Sequence, residues 1–196
     1  VQVILLDTRW FRDPLVKTAD RPVNGGPYRP TDDPNATVLG TAQWEWLEQQ
    51  FSEPADLRIV ASSIQFVPAE HGWEKWQNFP AERQRMIDLI ARSGATGVVF
   101  ISGDRHHAEI SRLTGDGAPY SLFDLTSSSL NKPGKGANND EPNRWRVGAV
   151  YHRENFGLIE IDWSDDPALT FSIRDVAGKA VLQQTVRLSE LRPPAK

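Results

Sequence analysis

The sequence predicts an α/β fold: an α/β first half to about residue 110, followed by antiparallel β-strands to about residue 192. Three observations predict it. Short apolar runs alternate with helical patterns through the first hundred residues, as they do where helices connect parallel strands. After Ile110 the helical period disappears. The later runs alternate apolar with polar residues and are separated by Gly- and Pro-bearing turns, as half-exposed antiparallel strands are.

The elements follow in order. Residues 1–6 are an apolar run that stops at Asp7, a buried strand with Asp7, Thr8 and Arg9 at its carboxyl end. Residues 13–36 are rich in Pro, Gly, Asp and Asn and predict an irregular excursion. Trp44, Leu47 and Phe51 recur at three and four residues, one face of a helix that starts near Thr41 with Glu45 in support. Residues 57–63, "LRIVASS", form a second strand. Residues 64–79 have no period and carry several aromatics with His71, which reads as a site-forming loop. Asn78 and Pro80 announce the next helix. Met86, Ile87, Leu89 and Ile90 form its apolar side, its basic residues fit the outer face, and Gly94 stops it. Residues 96–102, "TGVVFIS", are a third buried strand. Later strands are expected within 108–114, 120–128, 149–163, 168–176 and 180–188, with a second polar loop at 130–148 and a fraying tail from 191.

Bulk properties exclude some functions. With 196 residues, 39% of them hydrophobic, the chain can build a sizeable core. A net charge of −4 argues against a general nucleic-acid binder. Without cysteine there are no disulfides and no thiolate metal ligands. No run approaches the roughly 18 apolar residues of a membrane span. The chain opens at Val1 inside a strand pattern with no signal-type segment, so it is expected to be the later part of a longer protein.

The chemistry concentrates in "VVFISGDRHHAEI". Gly103 permits a sharp turn after the strand, and α/β sheets build sites outside the carboxyl ends of strands. A carboxylate and an imidazole two residues apart, Asp104 and His106, can reach one metal ion or a pair. The bland alternative is polar side chains bonded to backbone. Arg9 has the fork geometry for a phosphate, or pairs with Asp7 to hold the sheet. His71, between Glu70 and Trp73, could be a ligand, a proton donor or a stacked loop residue. Asn131, Asn143, Arg144 and Arg146 could bind substrate from the polar loop or face solvent there. His152 reads as packing or surface.

The ordered segments "LLDTRWFRDPL", "LGTAQWEWLEQQF", "VASSIQFVPAEHGWEKWQNFPAERQRMIDLI", "VVFISGDRHHAEIS" and "LFDLTSSSLN" lead to "NRWRVG", "NFGLIEIDW" and "IRDVAGKAVLQQTVRLSEL". Together, over nearly the whole chain, they resemble the carboxyl-terminal half of the alkaline phosphatase D (PhoD-like) family of calcineurin-type metallophosphatases. The resemblance implies that residues 1–196 are the C-terminal portion of one α/β/β/α sandwich. It implies two metal ions in the complete protein, iron and calcium, with zinc or manganese as alternatives. Gly103-Asp104-Arg105-His106 matches the family's Gly-Asp-x-His pattern, which implies Asp104 and His106 as metal ligands. His107 or His71 would then protonate the leaving oxygen, and Arg9 or Arg105 would offset phosphoryl charge, with Arg105 and Arg144 as substrate-binding residues.

The family's earlier ligand motifs would lie upstream of Val1, so the chain is expected to carry half of a dinuclear centre and to need the N-terminal half of the domain as its partner. The activity implied is metal-dependent hydrolysis of phosphate monoesters or diesters, in a protein exported to the periplasm or beyond the cell. A catalytically inactive, binding-only member of the same fold is the competing reading, and a β-rich binding module is a third.

Overall fold

The structure is a computed structural model that describes residues 1–19, 24–134 and 141–193. Residues 20–23 of the expected excursion, 135–140 of the expected polar loop and 194–196 of the tail lie outside the described residues.

Two strand–helix–strand units build the first half. β1 (Gln2–Leu5) leads through a two-residue hairpin, β2 (Val16–Lys17) with β3 (Tyr28–Arg29), to α1 (Gly40–Ser52) and β4 (Arg58–Ala61). α2 (Pro80–Ser93) then returns the chain to β5 (Val98–Ser102). β6 (Ala108–Leu113), β7 (Leu122–Ser127) and β8 (Arg146–Tyr151) complete a six-stranded sheet of order β1-β4-β5-β7-β6-β8. The first four strands in that order are parallel, and β6 joins antiparallel to both β7 and β8. β9 (Asn155–Asp162), β10 (Ala168–Asp175) and β11 (Ala180–Arg187) form a separate antiparallel sheet. This is the expected α/β half followed by mainly antiparallel strands, with β7 the exception because it pairs parallel with β5.

Register sorts the side chains. Ile4, Val60, Phe100 and Asp124 are aligned across four strands, as are Val3, Ile59, Val99 and Phe123. Because β1, β4 and β5 advance in one direction, right-handed crossovers put both helices on the same face. The Ile4–Val60–Phe100 face is fully buried. An aromatic chain fills it: Trp44 of α1 meets Trp76 edge-on, Trp76 meets Phe66, and Phe66 stacks on Phe100 at 4.0 Å. Truncating one of these rings to Ala is expected to cost about 3–5 kcal/mol.

The opposite face is covered only in part. Phe171 of β10 stacks on Phe123 at 5.5 Å, so the three-stranded sheet packs over β7. Over β1, Val3 and Leu5 stand 67% and 76% exposed. Between the two sheets lies a cleft of about 670 Å³ lined by Leu5, Ala61, Ile101, Leu125 and Phe156. Parallel strands are ordinarily buried on both faces, so this apolar surface is unusual. Among the described residues, no helix is long and apolar enough to cross a membrane.

Several local expectations need correction. α1 begins at Gly40, and its start is held by Thr37 Oγ1, which accepts the Gly40 N–H at 2.9 Å, rather than by Thr41 and Glu45. The Glu82 carboxylate of α2 also accepts the N–H of Val38 at 2.7 Å and the Trp44 indole N–H at 2.8 Å. Arg83 is not on the outer face of α2. It is buried and donates to the Phe66 carbonyl at 3.1 Å. Residues 146–148 of the expected polar loop are strand, because β8 pairs with β6. The reading of α2 itself holds: Pro80 opens it and Gly94 ends it in the left-handed region, at φ +69°.

Candidate active site

Four parallel strands end on one edge of the sheet, and the turns that follow them converge there. Thr8 Oγ1, after β1, lies 2.6 Å from Ser63 Oγ, after β4. Ser128, after β7, donates its hydroxyl to the His107 carbonyl at 3.2 Å, and the His106 carbonyl accepts the Gly134 N–H at 2.8 Å. The loop of residues 62–79 closes over this edge. Asp124 fixes its start by accepting the N–H groups of Phe66 and Val67 at 2.8 and 3.0 Å, with the Ser102 hydroxyl at 2.6 Å. Burial pushes the Asp124 carboxyl up from its ordinary range, and these donors oppose that shift.

The turn after β5 is strained. Asp104 and His106 both adopt the left-handed region, at φ +69° and +55°. Gly103, the residue expected to make the turn, does not. For a side chain larger than glycine this conformation costs about 1–2 kcal/mol per residue, less for Asp, and such strain clusters at functional sites. Asp104 is exposed and His106 half-buried. Asp104 and His106 supply a carboxylate and an imidazole, the donor chemistry a metal ion takes. Two donors are fewer than a metal site uses, and among the described residues no three His, Cys, Asp or Glu side chains come together as one. The pair has donor chemistry that suits a metal ion and does not by itself make a site.

The residues between and after them turn inward. Arg105 forms an ion pair with Glu141, and its guanidinium carbon lies 5.6 Å from the Trp73 ring centre. His107 is buried, with Nε2 3.7 Å from Glu109 Oε1 and its ring edge-on to His152. Glu109 accepts from Gln65 Nε2 at 2.7 Å and Arg146 Nε at 2.6 Å. Burial alone would raise the Glu109 carboxyl, but His107 and Arg146 hold it at about 2. His71 is buried in the same region. Burial first, then the charges of Arg105 and Lys75, push its imidazole well below the usual range. Burial and Arg105 likewise bring the Lys75 ammonium down to about 8.

Arg9 and Arg144 stand at the rim. Arg9 is exposed and pairs with Glu74, which Arg12 also reaches at 2.7 Å. Arg144 donates its backbone N–H and its Nε to Glu70 at 2.6 and 2.9 Å. Asp7 does not pair with Arg9, as the structural alternative supposed. Its carboxylate accepts the N–H groups of Arg9 and Trp10, each at 2.9 Å, which lowers its pKa. Asn131 lines the open cleft, whereas Asn143 is tied to Ser111 at 2.9 Å.

The structure thus brings Arg105, His107 and His71 into one buried cluster beside the Asp104–His106 turn, and leaves Arg9 and Arg144 outside it. Sequence reasoning missed Gln65, Lys75 and Glu109. None had a local signal: Glu109 alternates with Ala108 and Ile110 as a solvent-facing residue would.

Comparison with known proteins bears on this edge. The family model of PhoD-like phosphatases matches residues 1–170. Alkaline phosphatase D of Bacillus subtilis (strain 168) is 32% identical over 138 residues, which cover 64% of this chain and 22% of that protein. A solved structure of PhoD matches with a TM-score of 0.68 at 21% identity, covering 94% of this chain and 38% of that one. That likeness speaks for the fold alone. The chain spans well under half the length of both relatives.

Proposed function

The chain belongs to the PhoD-like phosphatase family, and from that premise we propose that it supplies part of the active site of a metal-dependent phosphoric ester hydrolase. The observation that carries the proposal is the Gly103–His106 turn. Two donor side chains are held in strained backbone at the carboxyl ends of parallel strands, where α/β sheets place their ligands.

In this reading Asp104 and His106 hold metal together with donors from elsewhere in the domain. When bound, such ions lower the pKa of a water toward neutrality and offset charge on the phosphoryl oxygens; iron with calcium is the pairing favoured by resemblance. The chain's own residues do the rest. His107, braced against Glu109, is the candidate proton donor to the leaving oxygen. His71 is neutral near pH 7, so its contribution is a hydrogen bond rather than a proton. Arg105 reaches substrate only through the N–H groups that Glu141 leaves over, while Arg9 and Arg144 act from the rim on incoming anions. The uncovered face of β1 and β4 is where the remainder of the domain is proposed to pack.

The test is ester hydrolysis by the whole protein carrying this domain, assayed on a phosphate monoester and a diester with and without a metal chelator. Chelation is expected to abolish both activities. A rate indifferent to chelation would overturn metal dependence, and a folded whole protein that cleaves no phosphate ester would favour the binding-only alternative.

A further inference from the structure

We propose that His71, Lys75 and Arg105 form a recognition site for a single oxyanion of the phosphate class, beside the Asp104–His106 turn and independent of metal bound there. The argument is an account of unused donors. His71 Nδ1 accepts the Trp73 N–H at 3.2 Å, so the proton of the neutral ring sits on Nε2. That Nε2 is buried and has no partner among the described residues. Arg105 commits Nη2 to Glu141, and its Nε is buried without a partner among the described residues. Lys75 is 2% exposed, and its ammonium makes one long bond, 3.4 Å to the Trp73 carbonyl.

Charge points the same way. Arg105 is matched by Glu141 and Arg146 by Glu109. Among the described residues, Lys75 has no carboxylate within ion-pair distance. All three groups meet at Trp73: His71 Nδ1 accepts its backbone N–H, Lys75 Nζ reaches its carbonyl, and the Arg105 guanidinium carbon lies 5.6 Å from its ring centre. A buried positive charge without a counter-ion and buried N–H groups without acceptors are both costly. One anion with several acceptor oxygens removes both costs at once. A cation would be repelled by Lys75 and Arg105, and a neutral sugar would leave the ammonium uncompensated. The choice of phosphate over other oxyanions rests on the proposed function, whereas the unused donors do not.

The experiment is calorimetric titration of inorganic phosphate into the whole protein carrying this domain, in chelator. Saturable binding is expected with a Kd on the order of 1 mM or tighter. Lys75→Met is expected to weaken it at least about tenfold, and the double variant Asp104→Asn, His106→Asn to leave it unchanged. Equal binding by Lys75→Met, or no saturable binding by the native protein, would overturn the proposal. Because Lys75→Met could disturb folding, the His71 Nε2–H resonance of the native protein is followed as well; phosphate should shift it, and an unmoved resonance at saturation counts against the site. Phenyl phosphate in a parallel titration separates the sources: binding as tight as phosphate assigns the site to the ester's phosphoryl group, and binding of phosphate alone assigns it to the free ion. Hydrolysis surviving in the double variant would defeat the ligand assignment above without touching this one.

Discussion

Two strand-end turns of this molecule look alike in sequence and differ in what their side chains do. Asp7-Thr8-Arg9 follows β1, and Asp104-Arg105-His106 follows β5. In the first, the carboxylate is consumed by its own turn, accepting two backbone N–H groups, and the arginine is consumed by Glu74. In the second, the middle arginine spends Nη2 on Glu141 and keeps its other N–H groups, while the residues on either side carry the positive φ. A turn whose hydrogen-bonding capacity is spent locally is structure. A turn that stores strain and keeps its donors for something else is a candidate site.

The largest effect expected from breaking this contrast is on catalysis. Asp104→Ala and His106→Ala should each lower phosphate-ester hydrolysis by the whole protein on the order of a thousandfold, whereas Asp7→Ala should leave the rate unchanged. Equal losses from both turns in steady-state assays would erase the distinction. Next comes the brace behind His107. Glu109→Gln removes one member of a buried ionic pair and should cost about 3 kcal/mol in denaturant unfolding. The sign with pH is definite. The folded pKa of Glu109, about 2, lies below its ordinary 4.5. Its stabilisation is therefore full above pH ~4.5 and is lost as pH falls toward 2. Glu109→Gln should flatten that acid limb.

A smaller effect sharpens the comparison from the side of strain. Asp104→Gly relieves a left-handed residue and should hold or raise stability by up to about 1 kcal/mol while hydrolysis is lost. A clear fall in thermal midpoint would mean the Asp104 side chain is bonded within the fold. Smallest is Asp7→Ala, which should lower the thermal midpoint slightly through loss of the turn acceptor, with metal content intact.

Periodicity made the framework readable. Trp44, Leu47 and Phe51 marked α1, and Pro80 with Gly94 bounded α2. Apolar runs marked the parallel strands, which are apolar on both faces although β1 is covered on only one. What could not be read was where polar groups turn inward. Glu109 alternates with Ala108 and Ile110 as a solvent-facing residue would, yet loop 62–79 covers it and Arg146 neutralises it. Arg83 looked like an outer-face cation, but the Phe66 ring and carbonyl lie within its reach from a loop placed by tertiary structure. The same reason hid Lys75: nothing local in "HGWEKWQNF" says that its ammonium is enclosed. The strand-end position of Asp104 and His106 was legible, whereas the strain that distinguishes their turn from Asp7–Arg9 lies in backbone angles that residue identity does not state.

The central claim is that the turn after β5 holds metal and the turn after β1 does not. Its most direct test is metal content after equilibrium dialysis of the whole protein, comparing the double variant Asp104→Ala, His106→Ala with Asp7→Ala. The account predicts that the double variant loses bound metal and that Asp7→Ala retains the native stoichiometry. A double variant with its native metal content would contradict it.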